Sequence, residues 1–352
     1  MKHFFKAVIV IIILSLNYPY LCFSENDTNY YRKYNDRLII ALYQSNRKYN
    51  IVYTQKLMPD PLAKSKINYL ANANDVTGVE VDYDKFSLSF AFKSTPPDGQ
   101  SKQGQTAYKS FNFSFGGNKW LVETSYKNYK GFYDDNTAAY DTSFGPTKPF
   151  YQNHSMVTKG LKVKGFYFFN NRKFSYKSSY SCIYRQLKSA FSLFAIGNMY
   201  YNRFASDTSF IPPPVWNFYS AYYDMNRLNV LAFSGGMGAS GNIIMHKKFF
   251  LNLTLGLGIE MQNRNYHYYF SNQYARRVYI SLVGDARAAL GYNGKNFFIT
   301  LSSMNDFVNF NDNHFKMESS FISGSFTYGY RFNVKESSLI KKAKETKLYQ
   351  ML

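Results

Sequence analysis

Cysteine and long apolar runs are what this chain has least of. Its two cysteines are Cys22 and Cys182; once Cys22 leaves with an N-terminal leader, Cys182 has no partner, so an intrachain disulfide is excluded. The fold must then be held by backbone ladders and packing. Outside the N-terminus no apolar run reaches about eighteen residues, and this excludes a helical membrane protein. A mean hydropathy of −0.37 agrees. Catalytic signatures are missing too: there is no GxSxG, Walker loop, paired-carboxylate motif or CxxC. Gly235-Gly236-Met237-Gly238 lacks the lysine and helix of a phosphate loop, so its glycines are expected to let a strand bend or pack closely. His3 falls in the leader, while His154, His246, His267 and His314 read as single loop or turn residues with no ligand spacing. The expectation is no metal, no cofactor and no enzyme.

Acidic residues are scarce, 22 against 42 Lys plus Arg, for a net charge of +20. Such a balance attracts anionic polymers and head groups. The basic residues are scattered among turns and strand ends without a stripe or a nucleic-acid module, so nucleic acid is not expected as a partner. A cationic surface facing phosphate-rich lipid is.

What the chain does have is aromatic residues, 20 % of the total, and alternation. From Phe249 to Gln262, the residues Phe249, Leu251, Leu253, Leu255, Leu257, Ile259 and Met261 occupy every second position. Asn252, Thr254, Gly256, Gly258, Glu260 and Gln262 stand between them. A strand sends alternate residues to opposite faces, so one face is unbroken hydrocarbon. The stretch is longer than an ordinary strand of about five or six residues and covers the roughly nine to eleven that cross a bilayer with tilt. The same pattern recurs in Phe86–Phe92, Ala107–Phe115, Trp120–Lys130 and Lys316–Phe332.

The predicted fold class is all-β: an antiparallel transmembrane β-barrel of about 14 strands, with 12 the next choice. Residues 1–24 read as a signal peptide, with Lys2 and Lys6 before the apolar run from Ala7 to Leu16 and small residues before Glu25. Leu21 is too large for lipoprotein processing at Cys22. Residues 25–36 form a polar lead-in, 37–332 the barrel and 333–352 a basic tail. Within the barrel, Leu38–Gln44 and Tyr49–Gln55 read as two strands around a turn at Ser45-Asn46-Arg47. Leu161–Asn170 and Lys173–Tyr184 read as a hairpin, and Gly131–Gly160 as a long loop. Counting reversals back from the C-terminus then sets that loop on the periplasmic side, against the long loops elsewhere.

Nine charged residues fall on the polar side of their strands and are expected to face the lumen: Glu123, Lys127, Lys162, Lys164, Lys177, Glu260, Asp285, Arg287 and Glu318. On the lipid side Lys or Arg would cost about 2 to 4 kcal/mol each at the midplane, whereas inside they pair or hold water. A salt-bridged closed barrel and a narrow channel both follow from such a lumen. Two other classes compete. One is a secreted soluble β-sandwich binding anionic glycans through aromatic, basic loops. The other is an outer-membrane lipid-modifying enzyme recruiting His267 and one of Ser181, Ser281 and Ser302, which no spacing ties together.

Three segments carry a resemblance. Between Asn171 and Pro212 they are Asn171, Lys173-Phe174-Ser175-Tyr176, Gln186, Lys188-Ser189, Gly197, Asp207-Thr208-Ser209 and Ile211-Pro212. The others are Tyr69–Tyr83 (YLANANDVTGVEVDY), with Asn72 and Gly78, and Trp120–Tyr133, with Tyr129, Lys130, Gly131 and Tyr133. In that order they are similar to domain-of-unknown-function family 4421, exported Gram-negative proteins with barrel-like sequences. Phe191 and Ala195 depart from the family's smaller residues, and the tail past Phe332 runs beyond its usual aromatic strand end. The resemblance implies the cell outer membrane as location, and with the cationic balance the expected partner is that membrane's lipid, including lipopolysaccharide. It implies no catalytic residue.

Overall fold

The computed structural model describes residues 29–34, 36–58, 60, 64–94, 102–219, 222–271, 273–311, 315–334, 342, 345 and 346. The expected signal peptide and most of the expected basic tail lie outside them.

Thirteen strands form one antiparallel sheet that closes on itself. In chain order they are β2 (Arg37–Gln55), β3 (Ile67–Leu70), β4 (Asp75–Tyr83), β5 (Phe86–Lys93), β6 (Ala107–Gly116), β7 (Trp120–Asp134), β8 (Tyr151–Phe168), β10 (Ala190–Ala205), β11 (Met225–Met245), β12 (Phe249–Tyr268), β13 (Tyr274–Asn293), β14 (Phe297–Asn311) and β15 (Phe315–Asn333). Two further strands, β1 (Tyr31–Lys33) and β9 (Tyr184–Gln186), pair with each other outside the sheet. Closure is made by β15 against β2, in register from Phe315↔Gln55 to Asn333↔Arg37. The short β3 joins Asn50–Tyr53 of β2 to Tyr69 and Leu70's partners on β7, above the short strands β4 to β6. The ring itself therefore has twelve strands among the described residues, the second of the two numbers expected.

Fourteen was too many for two reasons. Leu38 to Gln55 is one strand, because Ser45 and Arg47 continue the inward alternation through the expected turn. Lys173–Tyr184 is not wall at all. It belongs to the reversal between β8 and β10, folded with a one-turn helix, α2 (Lys177–Tyr180), after the earlier α1 (Thr137–Tyr140). Removing that strand from the count also moves the reversal between β7 and β8 to the end that carries the long loops. Both ends of Gly131–Gly160 are strand, β7 running to Asp134 and β8 beginning at Tyr151, so the loop between them is 135–150.

The alternation sorts as a membrane barrel requires. Leu253, Leu255, Leu257, Ile259 and Met261 are exposed on the outer face, and Asn252, Thr254, Glu260 and Gln262 are buried on the inner one. The apolar faces look away from one another, which removes the soluble sandwich. At the short-turn end, periplasmic in this class, an outer aromatic girdle contacts from strand to strand. Its ring pairs include Phe86–Phe115 at 4.8 Å, Trp120–Tyr167 at 4.5 Å and Phe249–Tyr292 at 5.4 Å. Glycine lets strands approach where it matters: a Cβ on Gly236 would stand 2.1 Å from the Leu257 carbonyl oxygen.

Candidate functional site: the filled lumen

Three layers fill the barrel. At the short-turn end the segment 169–189 enters the lumen and is bound by polar groups of the wall. Ser179 Oγ donates to Asn242 Oδ1 (2.8 Å), and Asn242 Nδ2 donates to the Ser175 carbonyl (2.9 Å). Tyr180 OH donates to Asn252 Oδ1 (2.8 Å), and Asn293 Nδ2 donates to the carbonyls of Ser178 (2.9 Å) and Tyr184 (3.0 Å). Lys177 Nζ donates to the carbonyls of Lys85 (3.0 Å) and Gly116 (2.9 Å). These contacts tie one segment to β6, β11, β12 and β13. Cys182 is sealed beneath them, and burial pushes its thiol up to about 12.

The middle layer is ionic. Lys162 Nζ lies 3.0 Å from Asp306, Lys164 pairs with Asp285 and approaches Asp306 at 3.4 Å, and Arg287 bridges Asp285 (3.0 Å) and Glu123 (2.9 Å). Arg287 also donates to Tyr176 OH, so the ionic layer and the inserted segment are one network. A cavity of about 280 Å³ lies against this layer. Six basic side chains line it (Arg47, Lys127, Lys162, Lys164, Lys177, Arg287) against the carboxylates Glu80, Glu123 and Asp306. Adding Asp285 from the network still leaves the basic groups in excess.

The third layer is apolar and lies at the long-loop end. The segment 206–219 crosses the mouth and packs Phe210, Ile211, Val215 and Tyr219 against Tyr53, Tyr69, Phe315 and Met317. Tyr69 OH donates to the Phe210 carbonyl (2.8 Å) and Tyr219 OH to the Ser65 carbonyl (2.7 Å), fastening the crossing chain to β3 and its approach.

Of the nine residues expected inside, Glu123, Lys162, Lys164, Asp285 and Arg287 meet in the ionic layer. Lys127 faces the same cavity with its ammonium 3.3 Å from the Phe321 ring centroid. Glu260 is buried nearer the mouth and accepts from Tyr200 OH at 2.7 Å. Two expectations need correction. Lys177 is inside but on α2, not on a strand. Glu318 is on the outer face: it shares parity with exposed Ile322 and Phe326, and pairs with Lys316 at 2.6 Å near the long-loop rim. Asp306, Glu80, Arg47 and Arg264 were missed. Asp306 stands one residue past the expected strand end at Asn305, and continuing the inward series Ser302, Met304 by one step finds it. His154 and His267 stand on strands rather than in loops. His267 Nδ1 is 2.7 Å from Asn226 Oδ1. It lies about 23 Å along the strand pair from Ser281, and farther up the barrel than Ser181 or Ser302, so no Ser–His pair is assembled with any of them.

The model of the family described as "Domain of unknown function (DUF4421)" matches residues 25–332. The chain belongs to that family. No curated protein matches this DUF4421 chain. Several solved structures resemble it in outline. One is the outer-membrane protease OmpT of Escherichia coli, at 8 % identity over 86 % of this chain and 98 % of that one, TM-score 0.39. A second is the translocator domain of autotransporter NalP from Neisseria meningitidis, at 12 % over 94 % and 96 %, TM-score 0.33. A third is the toluene transporter TodX of P. putida, at 8 % over 85 % and 91 %, TM-score 0.29. At these scores the likeness carries no argument, and the fold rests on the chain's own strand pairing. A closed antiparallel ring with an apolar outer belt pairs its wall amides from strand to strand over most of its circumference, as a span through lipid demands. The DUF4421 chain is an outer-membrane β-barrel protein.

Proposed function

We infer that this barrel is closed along its axis, a structural or surface-recognition barrel rather than a diffusion channel. One observation carries the reading: segment 169–189 is hydrogen-bonded from inside to Gly116, Asn242, Asn252 and Asn293, on four different strands. Its departure would strand buried polar groups at about 1 to 3 kcal/mol each. The protein in planar bilayers is expected to stay silent at every voltage. Replacing residues 171–188 by a short turn, and residues 208–218 at the filled long-loop mouth by another, is expected to give conductance steps whose ion selectivity changes with Arg287→Glu. Steps from the unaltered protein would overturn the reading.

The partner supported by the outer face is lipopolysaccharide, held through its phosphates. Lys130, Lys159, Arg203 and Arg227 point outward on adjacent strands β7, β8, β10 and β11, just beyond the exposed Leu161 and Tyr201. Lys159 is directly opposite Arg203. Like charges so placed destabilise a sheet, and among the described residues none of the four is in an ion pair. A phosphate between them reverses the sign of that contact. In nanodiscs, Arg203→Glu is expected to weaken lipopolysaccharide binding about tenfold or more, as two charge contacts are lost. Binding unchanged by that substitution would remove the partner.

A further inference from the structure

Strands β13 and β14 are in register from Asn293↔Phe298 up to Asp285↔Asp306, and there their pairing stops. Both strands continue. β13 stays paired with β12 as far as Tyr274, and β14 stays paired with β15 as far as Asn311. The wall is therefore unzipped along one line while each bank keeps its outer neighbour. On β14 the unpaired stretch, Phe307 to Asn311, is about 17 Å long at roughly 3.4 Å per residue.

A free strand edge beside hydrocarbon is costly, because each unmet amide or carbonyl loses several kcal/mol. Here the edge of β14 is met by side chains from two strands away. Gln262 Nε2 donates to the Asn309 carbonyl (3.3 Å) and Arg264 Nη1 to the Asn311 carbonyl (2.8 Å). Arg264 crosses the inner face of β13 with its guanidinium 3.9 Å from the Tyr279 ring centroid. Side chains rotate away from a carbonyl far more readily than a paired strand unzips. On the lipid side of the same seam, Leu282 is 84 % exposed and Ile280 77 %, more than any other large apolar side chain described.

Behind the seam lies positive charge. Asp306, the last paired residue on β14, lines both the 280 Å³ cavity and a side chamber of about 90 Å³, where Lys127 and Lys162 outnumber it beside Val308 and Phe321. Lys127 touches the Phe321 ring, and among the described residues no carboxylate stands within ion-pair distance of it. The cavity has the volume of a head group, close to the lower end of small-molecule sites at about 300 Å³.

We propose that the β13–β14 seam is a side entrance by which a single-chain anionic amphiphile of the outer leaflet passes its head group to Lys127 while its chain lies against Ile280 and Leu282. The proposal rests on the axially closed reading, since both ends of the lumen are then blocked.

The test uses full-length protein in nanodiscs titrated with 11-(dansylamino)undecanoate and with its uncharged methyl ester. Saturable binding of the acid is expected, about tenfold weaker in Lys127→Glu, with ester binding unmoved by that substitution. Val283→Cys with Val308→Cys sets two inward thiols opposite each other where the register would continue. Their oxidation is expected to slow uptake at least tenfold, reversibly by reductant, and Arg264→Lys, which keeps the charge but loses the fork, is expected to speed it. Binding that ignores both Lys127→Glu and the cross-link, or two thiols that never join, overturns the entrance. The axial reading is tested separately by conductance, so the two fail visibly apart.

Discussion

At the short-turn end the filling combines Phe174 and Tyr176 packed on Phe166 and Phe168 with hydrogen bonds between Ser175, Ser179 and Tyr180 and the wall's Asn242 and Asn252, whereas at the long-loop end it is Phe210, Ile211 and Val215 packed on Tyr53 and Met317. The two fillings place different demands on the wall. A polar filling must match the wall group by group, because each donor left over in a dry site costs free energy. An apolar filling needs volume and little else, so its tolerance is set by the cavity a substitution leaves. The short-turn filling is thus fixed by register and the long-loop filling by shape, with the ionic layer between them depending on charge balance.

The comparison breaks most readily at the apolar end. Phe210 is fully buried, and Phe210→Ala is expected to cost about 4 kcal/mol through lost contacts and cavity, read from urea unfolding in lipid vesicles. Phe210→Leu should recover most of it. Next is the ionic layer: Asp306→Asn leaves Lys162 and Lys164 sharing too few carboxylates, and a loss of about 3 kcal/mol is expected from the unpaired buried charge. If the double change Asp306→Asn with Lys162→Met is no less damaging, charge balance is not what that layer needs. At the polar end, Asn242→Leu keeps the volume but deprives Ser179 and the Ser175 carbonyl of partners, for about 2 kcal/mol. A loss as large as that of Phe210→Ala would mean that the two ends do not differ as described.

The smallest effect is outside the barrel wall, on the loop 135–150. The Lys148 ammonium, 2.7 Å from Asp141, and the Ser143 hydroxyl hold the Asp141 carboxyl down at about 2, against an ordinary 3.8. A carboxyl so depressed favours the folded loop above its unfolded value and loses that contribution as pH falls toward 2. Carbon-detected NMR is expected to find Asp141 titrating near 2, and Lys148→Ala to move it toward 3.8 with no change in global stability.

Much of the wall was legible from residues alone, and for a stated reason. Phe249 to Met261 alternates without a break, and only a sheet with lipid on one side and a polar interior on the other uses that pattern at this length. The same parity located Glu123, Lys162, Lys164, Asp285 and Arg287 on one surface. Parity itself puts Glu318 outside with Ile322 and Phe326; placing it inside followed its charge alone, and near a strand end the outer surface leaves the apolar belt and tolerates charge. Parity did mislead at Lys173 to Tyr184. Phe174, Tyr176 and Tyr180 alternating with Lys and Ser look like wall, yet a segment folded into a polar lumen between aromatic rings is satisfied by the same composition.

What the sequence determined by itself is the local choice: extended chain, one greasy face and one polar face. Those follow from spacing of two along the backbone and need no knowledge of neighbours. Which strand lies beside which, where the ring closes, that 169–189 turns inward and that β13 parts from β14 were decided only in three dimensions. Each depends on partners far apart in the chain, Asp306 with Lys162 or Arg264 with the Asn311 carbonyl, and no local pattern records such a meeting.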